Sequence, residues 1–326
     1  MKKNIALFLT LVLVLSFSVG CSNEKEFVTV VTGGTGGTYY PVGTIFSTLW
    51  NEKLGDTIQA SAQSSGGSVE NLNMLKNGEA QLGIAMANLT LFAYEGSGRF
   101  EGNQFEDVRF VSALWPDVTQ MVVIESSNIN SVSDLAGKSF SVGSAGSGTE
   151  YSTKLIMDIV GGLGDADYKA ENLSYSDASA AMQNGQIVGL NAEGGIPTSS
   201  VAELAASRTK VKILPFSDEE YKAINDTAPY YGRFVVPAGT YSGIETDIET
   251  VGVKSALITN ANMDEETVYN LTKTIFEYYG EILGSHKALS AMGLDQAVEG
   301  LPPVPLHKGA LRYYEEKGID VPEHLK

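Results

Sequence analysis

The segments Val31-Thr-Gly-Gly-Thr-Gly-Gly-Thr-Tyr-Tyr40 and Val142-Gly-Ser-Ala-Gly-Ser-Gly-Thr-Glu-Tyr151 align over ten positions without a gap. Each follows a short apolar run, Val28 to Val31 or Phe140 to Val142, and each precedes apolar residues at helical spacing. Both read as strand-to-helix turns in which glycine lets the backbone come close to something else. Two such turns predict two similarly built lobes facing one site. A second correspondence supports the duplication: Leu75-Lys-Asn-Gly78 and Met182-Gln-Asn-Gly185 each close a helical pattern ahead of a strand. Asn-Gly is a common helix stop because both residues tolerate the left-handed conformation.

Outward from the first turn, Val42, Ile45, Phe46, Leu49 and Trp50 are spaced for one buried helix face, and Pro41 suits a first helical turn. A strand over 57–63, the turn Ser64 to Ser68, a helix carrying Val69, Leu72 and Leu75, and a strand over 82–86 follow. The second half repeats this order, with a strand over 139–142, a helix through Tyr151, Leu155, Ile159 and Val160, and a later strand at 188–190. Strands alternating with helices through short connections predict an α/β fold with a parallel sheet covered on both faces.

The last part of the chain adds a strand over 250–259 and a long helix through Val268, Leu271, Ile275, Tyr279, Ile282 and Leu283, capped by Asp264. These elements are too few for a lobe of their own, so they are expected to return to the first. The chain then crosses twice, near 113–120 and 237–250, which makes a hinge with a ligand cleft between the lobes. The expected division is 28–115 plus 250–326 for lobe I and 116–249 for lobe II.

In open sheets of this kind, ligands bind beyond the carboxyl ends of the strands. The glycine- and hydroxyl-rich segments fall there: Thr35, Gly36, Gly37, Thr38, Tyr39 and Tyr40; Ser65, Gly66, Gly67 and Ser68; Asn88; Ser144, Ser147, Gly148 and Thr149; and Gly195 and Pro197 after Glu193. Backbone N–H groups at helix starts carry partial positive charge and suit a carboxylate or phosphate. The same residues can instead serve as tight turns and helix caps, as Thr38 and Ser147 illustrate. Arg233, beside Tyr230 and Tyr231, can meet a carboxylate bidentately or remain a surface charge. Tyr39 in the first turn stands where Glu150 stands in the second, a difference expected to orient the ligand.

Catalytic signatures fail. Gly137-Lys138-Ser139 precedes a strand and has Val132 where a phosphate-binding loop needs its leading glycine; Gly34-Thr35-Gly36 meets Tyr39 where a dinucleotide fingerprint needs glycine. No Gly-x-Ser-x-Gly elbow centres on Ser144 or Ser147. The three histidines, His286, His307 and His324, lie far from both turns, and the single cysteine is Cys21. We therefore expect a binding protein, not an enzyme, with no cofactor and no metal. The alternative is an exported serine-type hydrolase using Ser144 or Ser147, whose only sequence candidates for a base are carboxylates such as Glu150 or Glu193.

Lys2 and Lys3, the apolar stretch Ile5 to Leu15 and then Ser16 to Gly20 have the layout of a secretory signal over 1–20. That stretch is shorter than the ~20 residues a membrane span needs. Cys21 at its end looks like a bacterial lipidation site, although Ser18 stands where an aliphatic residue is usual, and residues 21–27 read as a polar tether. The formal charge of the whole chain is -17; without residues 1–20, which hold two lysines and no acid, it is -19. Such a surface repels nucleic acid and anionic lipid.

Thr32 to Pro41, Ser65-Gly-Gly-Ser-Val-Glu-Asn71, Asp134-Leu-Ala-Gly-Lys138, Gly143 to Glu150 and Pro237-Ala-Gly-Thr-Tyr241 together resemble the TAXI family of solute receptors from tripartite ATP-independent periplasmic (TRAP) transporters, over nearly the whole mature chain. The resemblance implies a two-lobed periplasmic-binding-protein-like (type II) fold that closes on a small organic solute and delivers it to an ion-gradient-driven TRAP permease. Carried onto this chain, the ligand-contacting segments are Thr35 to Tyr40, Ser65 to Ser68, Ser144 to Thr149 and Gly194 to Pro197. Where many relatives have an aspartate after the third strand, this chain has Asn88. The implied solute is a glutamate-like amino acid or a 2-oxo or dicarboxylic acid. The expected protein is a monomer held at the extracytoplasmic face of the membrane by its lipid, or periplasmic without it.

Overall fold

The computed structural model describes residues 25–326; the export signal expected over 1–20 and the lipidation site at Cys21 lie outside them. Strand β1 (Glu26–Val31) already pairs from Glu26, so the tether expected over 21–27 gives its last two residues to the sheet. Then come helix α1 (Tyr39–Leu54), β2 (Ile58–Gln63), α2 (Ser68–Lys76), β3 (Leu82–Met86) and α3 (Ala87–Glu95). Strand β4 (Val108–Ile124) leads into β5 (Ser139–Ser141), α4 (Gly148–Ile159), β6 (Lys169–Glu171), α5 (Tyr175–Gln183), β7 (Gly189–Gly194), α6 (Ser199–Ala206), β8 (Val211–Ile213), α7 (Asp218–Thr227) and β9 (Gly232–Val236). The chain returns through β10 (Ile248–Asn260), α8 (Glu265–Glu277), the short α9 (Tyr279–Ile282) and α10 (Lys308–Glu316).

The strands join in the order β2-β1-β3-β10-β4-β7-β5-β6, with β8 added to β4 and β9 to β10. Within each lobe the short strands are parallel, β1 with β2 and β3, and β5 with β6 and β7. The two long strands run antiparallel to their neighbours, so the sheet is mixed where alternation alone predicted a parallel one. They also make the two crossings. The first part of β4 pairs with β10, and its last part pairs with β7 and β8; β10 pairs with β9 at its start and with β3 at its end. The passage lies where Gly252, Val253 and Lys254 face Val118, Asp117 and Pro116, next to a register shift. A shift of this kind bends the strand and increases its twist, which lets one sheet serve two lobes. The second crossing is therefore in β10 itself, a few residues after the 237–250 connection expected from sequence.

Each lobe is built by the same local rules. Val42, Phe46, Leu49 and Trp50 bury one face of α1 against the sheet, as their spacing requires. The two Asn-Gly stops match: Asn77 and Asn184 cap α2 and α5, and Gly78 and Gly185 follow in the left-handed region at φ 74° and 69°. Asp264 caps α8, accepting from Thr267 N at 2.8 Å. The predicted long helix breaks after α8, because Tyr278 leaves helical geometry (φ -108°, ψ 16°) and the Tyr279 hydroxyl reaches the Leu289 carbonyl. The C-terminal helices pack on the first lobe: Trp50 Nε1 donates to Leu271 O (3.0 Å) and Tyr314 OH to Val111 O (2.8 Å).

Trp50 is wholly buried, whereas Phe27 is 68% exposed. Trp50→Ala is expected to cost about 3–5 kcal/mol in urea unfolding, from lost packing and the lost hydrogen bond to Leu271 O. Phe27→Ser should stay within about 0.5 kcal/mol of the wild type.

Candidate functional site

Four helices begin at one cavity. Tyr39, Ser68, Gly148 and Tyr175 are the first residues of α1, α2, α4 and α5, and all four line a space of about 60 Å³. Gly33, Gly34, Gly37, Thr38, Gly66, Gly67, Met86, Ser144, Ser147, Thr149, Ser174 and Glu193 complete its wall. Four N-termini bordering one cavity each bring partial positive charge to it. Glu193 is the only acid among the lining residues, and none of them is Lys, Arg or His.

The turns are held by buried side chains behind them. Asn71 donates from Nδ2 to Thr32 O (2.6 Å) and Ile84 O (2.7 Å) and accepts from Ser65 Oγ (2.6 Å), tying the second turn to β1 and β3. Gly67 sits at φ 118°, a conformation side chains rarely adopt, and a Cβ there would lie 3.4 Å from Ser147 Cβ across the cleft. In the other lobe Asn191 donates to Thr153 Oγ1 (2.9 Å) and accepts from Gln120 N (3.2 Å). The Tyr175 hydroxyl clamps the cavity floor, donating to Glu193 O (2.8 Å) while accepting from Glu193 N (3.0 Å) and bonding Thr149 Oγ1.

The lobes touch around the cavity. Ser200 N donates to Gly36 O (3.1 Å), Glu70 N to Gly146 O (3.3 Å) and Thr38 Oγ1 to Gly195 O (3.1 Å). A side chain at Gly195 would meet Ala288, Thr38 and Trp115 within 3.0 Å. The cleft is thus closed, its rim joined by two backbone hydrogen bonds and the Thr38 hydroxyl.

Of the residues expected at the site, Gly37, Thr38, Tyr39, Gly66, Gly67, Ser68, Ser144, Ser147, Gly148 and Thr149 line this cavity. Thr35 is exposed at the rim, Gly36 packs on Ser176 and Ser200, and Ser65 supports the turn from behind. Tyr40, Gly195 and Pro197 lie outside the wall. Asn88 is also outside it, buried with neither amide atom partnered among the described residues. Arg233 is elsewhere: its guanidinium pairs with Asp218 at 2.5 Å and lies over the Tyr221 ring, because β9 carries it to the open edge of β10. Ser147 both lines the cavity and caps α4, accepting from Glu150 N (2.9 Å), so the two readings of that residue coexist. Thr38 makes no side-chain cap.

The Tyr39/Glu150 difference does not place a charge in the cavity. Glu150 turns back to Gly146 N (3.0 Å), Arg99 (3.3 Å) and Lys154 (3.3 Å). Burial opposes its charge, but these partners hold its carboxyl below the ordinary range. Met86, Ser174 and Tyr175 were not among the expected site residues, Gly33 and Gly34 appeared only within longer segments, and Glu193 was named as a candidate base for the hydrolase alternative, not as part of a binding wall. One signal was legible: Ser174, with Asp177 three residues on, caps α5 at the point corresponding to the second turn of the first lobe.

Behind the cavity, Asp117 is fully buried on the crossing strand, accepting from the Tyr39 hydroxyl and from Trp115 Nε1 (3.2 Å). Burial raises its carboxyl to about 8 despite those two donors. A folded-state value above the unfolded one means the native protein holds a proton the unfolded chain releases. This residue's contribution to stability therefore falls as pH rises from about 4 to about 8. Asp117→Asn, which keeps an acceptor but cannot ionise, should raise the melting temperature at pH 8, by ~2–4 °C for each kcal/mol relieved. The gain should vanish near pH 4, and a gain independent of pH in thermal unfolding would refute the assignment.

Residues 30–318 match the NMT1-like family. Among solved structures, a protein from Bordetella bronchiseptica aligns with a TM-score of 0.54 at 18% identity, over 90% of this chain and 82% of that one. A Xanthomonas citri protein bound to ATP aligns with a TM-score of 0.50 at 10% identity, over 90% and 95%. The alkanesulfonate-binding protein SsuA from Xanthomonas axonopodis pv. citri, bound to MOPS, gives 0.46 at 16% identity, over 90% and 84%. Identities this low speak for the fold alone, a mixed α/β fold. With the match spanning nearly all of its described residues, the chain belongs to the NMT1-like family.

Proposed function

We propose that the protein is an extracytoplasmic solute receptor of the TAXI type, which closes on a small organic carboxylate and delivers it to an ion-gradient-driven TRAP permease. The observation that carries this reading is the convergence of four helix N-termini on one closed cavity whose wall has no Lys, Arg or His. Backbone N–H groups bind a carboxylate by direction and partial charge together, and hydroxyls of Thr38, Ser68, Ser147 and Thr149 add adaptable partners. The solute is a glutamate-like amino acid or a 2-oxo or dicarboxylic acid. The lobes, 28–115 plus 250–326 and 116–249, would open about β4 and β10 to admit it. A hydrolase would need a base beside its serine, and Ser147 Oγ is instead engaged by the Glu150 N–H.

Binding to the folded state stabilises it by ~2.7 kcal/mol at a hundredfold excess over the dissociation constant. A thermal-shift screen of amino acids, 2-oxo acids and dicarboxylates should therefore find at least one strong stabiliser; no shift with any of them would sink the proposal. A Cβ at Gly148 would stand within 3.0 Å of Met86 and Ser68 of the facing lobe. Gly148→Val should accordingly abolish the ligand-induced shift while leaving the ligand-free melting temperature within a few degrees of the wild type.

For the amino terminus, the layout of residues 1–21 leads us to propose export and acylation of Cys21. In the native host, Cys21→Ser should move the protein from the membrane fraction to the soluble one, read by immunoblot. An unmodified Cys21 in the mass spectrum of the wild-type protein would refute acylation.

A further inference from the structure

The chain after α3 reaches across the cleft at a place that the solute cavity does not use. Helix α3 stops at Gly96, left-handed at φ 70°, and Ser97 N donates back to Phe92 O (2.9 Å). Gly98, also left-handed at φ 55°, lies against the Phe92 ring and opens the 3-10 turn Gly98–Phe100. This fold-back directs Phe92 and Arg99 at successive residues of α4, Tyr151 and Glu150.

The Phe92 ring meets Tyr151 edge to face at 5.8 Å and Tyr230, ahead of β9, at 5.7 Å. The hydroxyls of those two tyrosines are hydrogen-bonded at 3.0 Å, so the second lobe holds the seat for Phe92 together by itself. Arg99 Nη1 lies 3.3 Å from Glu150 Oε2. That carboxylate is already fixed within the second lobe by Gly146 N and Lys154, and needs no rearrangement to receive the guanidinium. None of Phe92, Arg99, Glu150, Tyr151 and Tyr230 lines the solute cavity.

The backbone contacts between the lobes are of a different kind. The hydrogen bonds from Ser200 N to Gly36 O and from Glu70 N to Gly146 O are ones that water replaces at little net cost when the lobes part. A ring withdrawn from its aromatic seat exposes apolar surface, which water does not compensate. A contact made only in the closed arrangement favours that arrangement whatever occupies the cavity. Resting on the two-lobed receptor reading above, we propose that Phe92 and Arg99 form a latch with Tyr151, Tyr230 and Glu150 that holds the lobes together without solute and sets how readily the protein opens. Affinity is then fixed only in part by the cavity wall. Loosening the latch raises the open population, and part of the solute's binding free energy goes into closing the lobes.

The test is solution X-ray scattering of the unliganded protein, freed of any retained small molecule by unfolding and refolding. The wild type should fit a mixture in which the closed form is a major component. Phe92→Ala should raise the open-to-closed ratio about five- to tenfold, and Arg99→Gln about two- to fivefold. Salt at about 1 M should open the wild type by the Arg99 increment and leave Arg99→Gln unmoved. Lys154→Gln breaks an ion pair to the same carboxylate inside α4, so it should scatter like the wild type; opening equal to that of Arg99→Gln would mean that contact between the lobes is not the cause. Unchanged scattering from Phe92→Ala, Arg99→Gln and the double variant overturns the latch, and Arg99→Gln, at a partly exposed site, carries the comparison if Phe92→Ala does not fold. If the profiles stay the same while a carboxylate stabilises the protein in the thermal-shift screen, the latch falls and the receptor stands. If neither shape nor melting temperature ever moves, both fall.

Discussion

A buried carboxyl on a strand shared by both lobes is the constraint around which the rest is arranged. Asp117 sits where β4 passes from one lobe to the other, and removing its side chain from water costs several kcal/mol unless its oxygens are bonded. Two donors meet it: the indole of Trp115 on the same strand and the hydroxyl of Tyr39, first residue of α1. The Tyr39 and Trp115 rings pack edge to face at 6.0 Å, so the first glycine-rich turn is fastened to the crossing strand by both polar and aromatic contact. Any movement of the lobes about β4 must carry this turn with the first lobe or break the cluster.

The electrostatics of the cavity follow from that arrangement. With α1 fixed against β4, and α2 held by Asn71, the first lobe presents two helix starts; the second lobe presents two more from α4 and α5. The protein as a whole is strongly acidic, with a formal charge of -17, yet the cleft offers an anion oriented N–H dipoles and no fixed cation. Dipoles anchored by backbone cost little to reorganise, whereas a lysine or arginine in the same closed space would have to be desolvated on every closure.

Much of this was legible in the residues themselves. The strand-to-helix turns at Val31 and Val142, the apolar face of α1, the paired Asn-Gly stops and the Asp264 cap all depend on neighbours within a few positions, and local sterics and periodicity settle them. Ten of the residues expected at the site do line one cavity, because a loop at the end of a parallel strand has few other places to go. The failures are equally physical. Arg233 follows the buried Tyr231 closely in sequence, but it lies in β9 on the same outward face as the exposed Val235, and the strand is at the sheet margin, so its guanidinium finds Asp218 and solvent. The long helix expected through Leu283 ends early because tertiary contacts of Tyr279 override helical spacing.

By itself the amino-acid sequence determined the alternation of elements, the duplicated turns and the absence of familiar catalytic spacing, since each is a matter of short-range pattern. Only the tertiary structure decided which side chains meet. Tyr39 and Asp117 are 78 positions apart, Thr38 and Gly195 are 157 apart, and Thr119 is 74 from Glu193. Their meeting depends on the register of β4 against β7 and on the bend at the crossing, which are set by the packing of whole strands. The partners of Asp117 have the same origin: whether a buried carboxyl finds a donor is a property of the space around it, and that space is made by residues from distant parts of the chain.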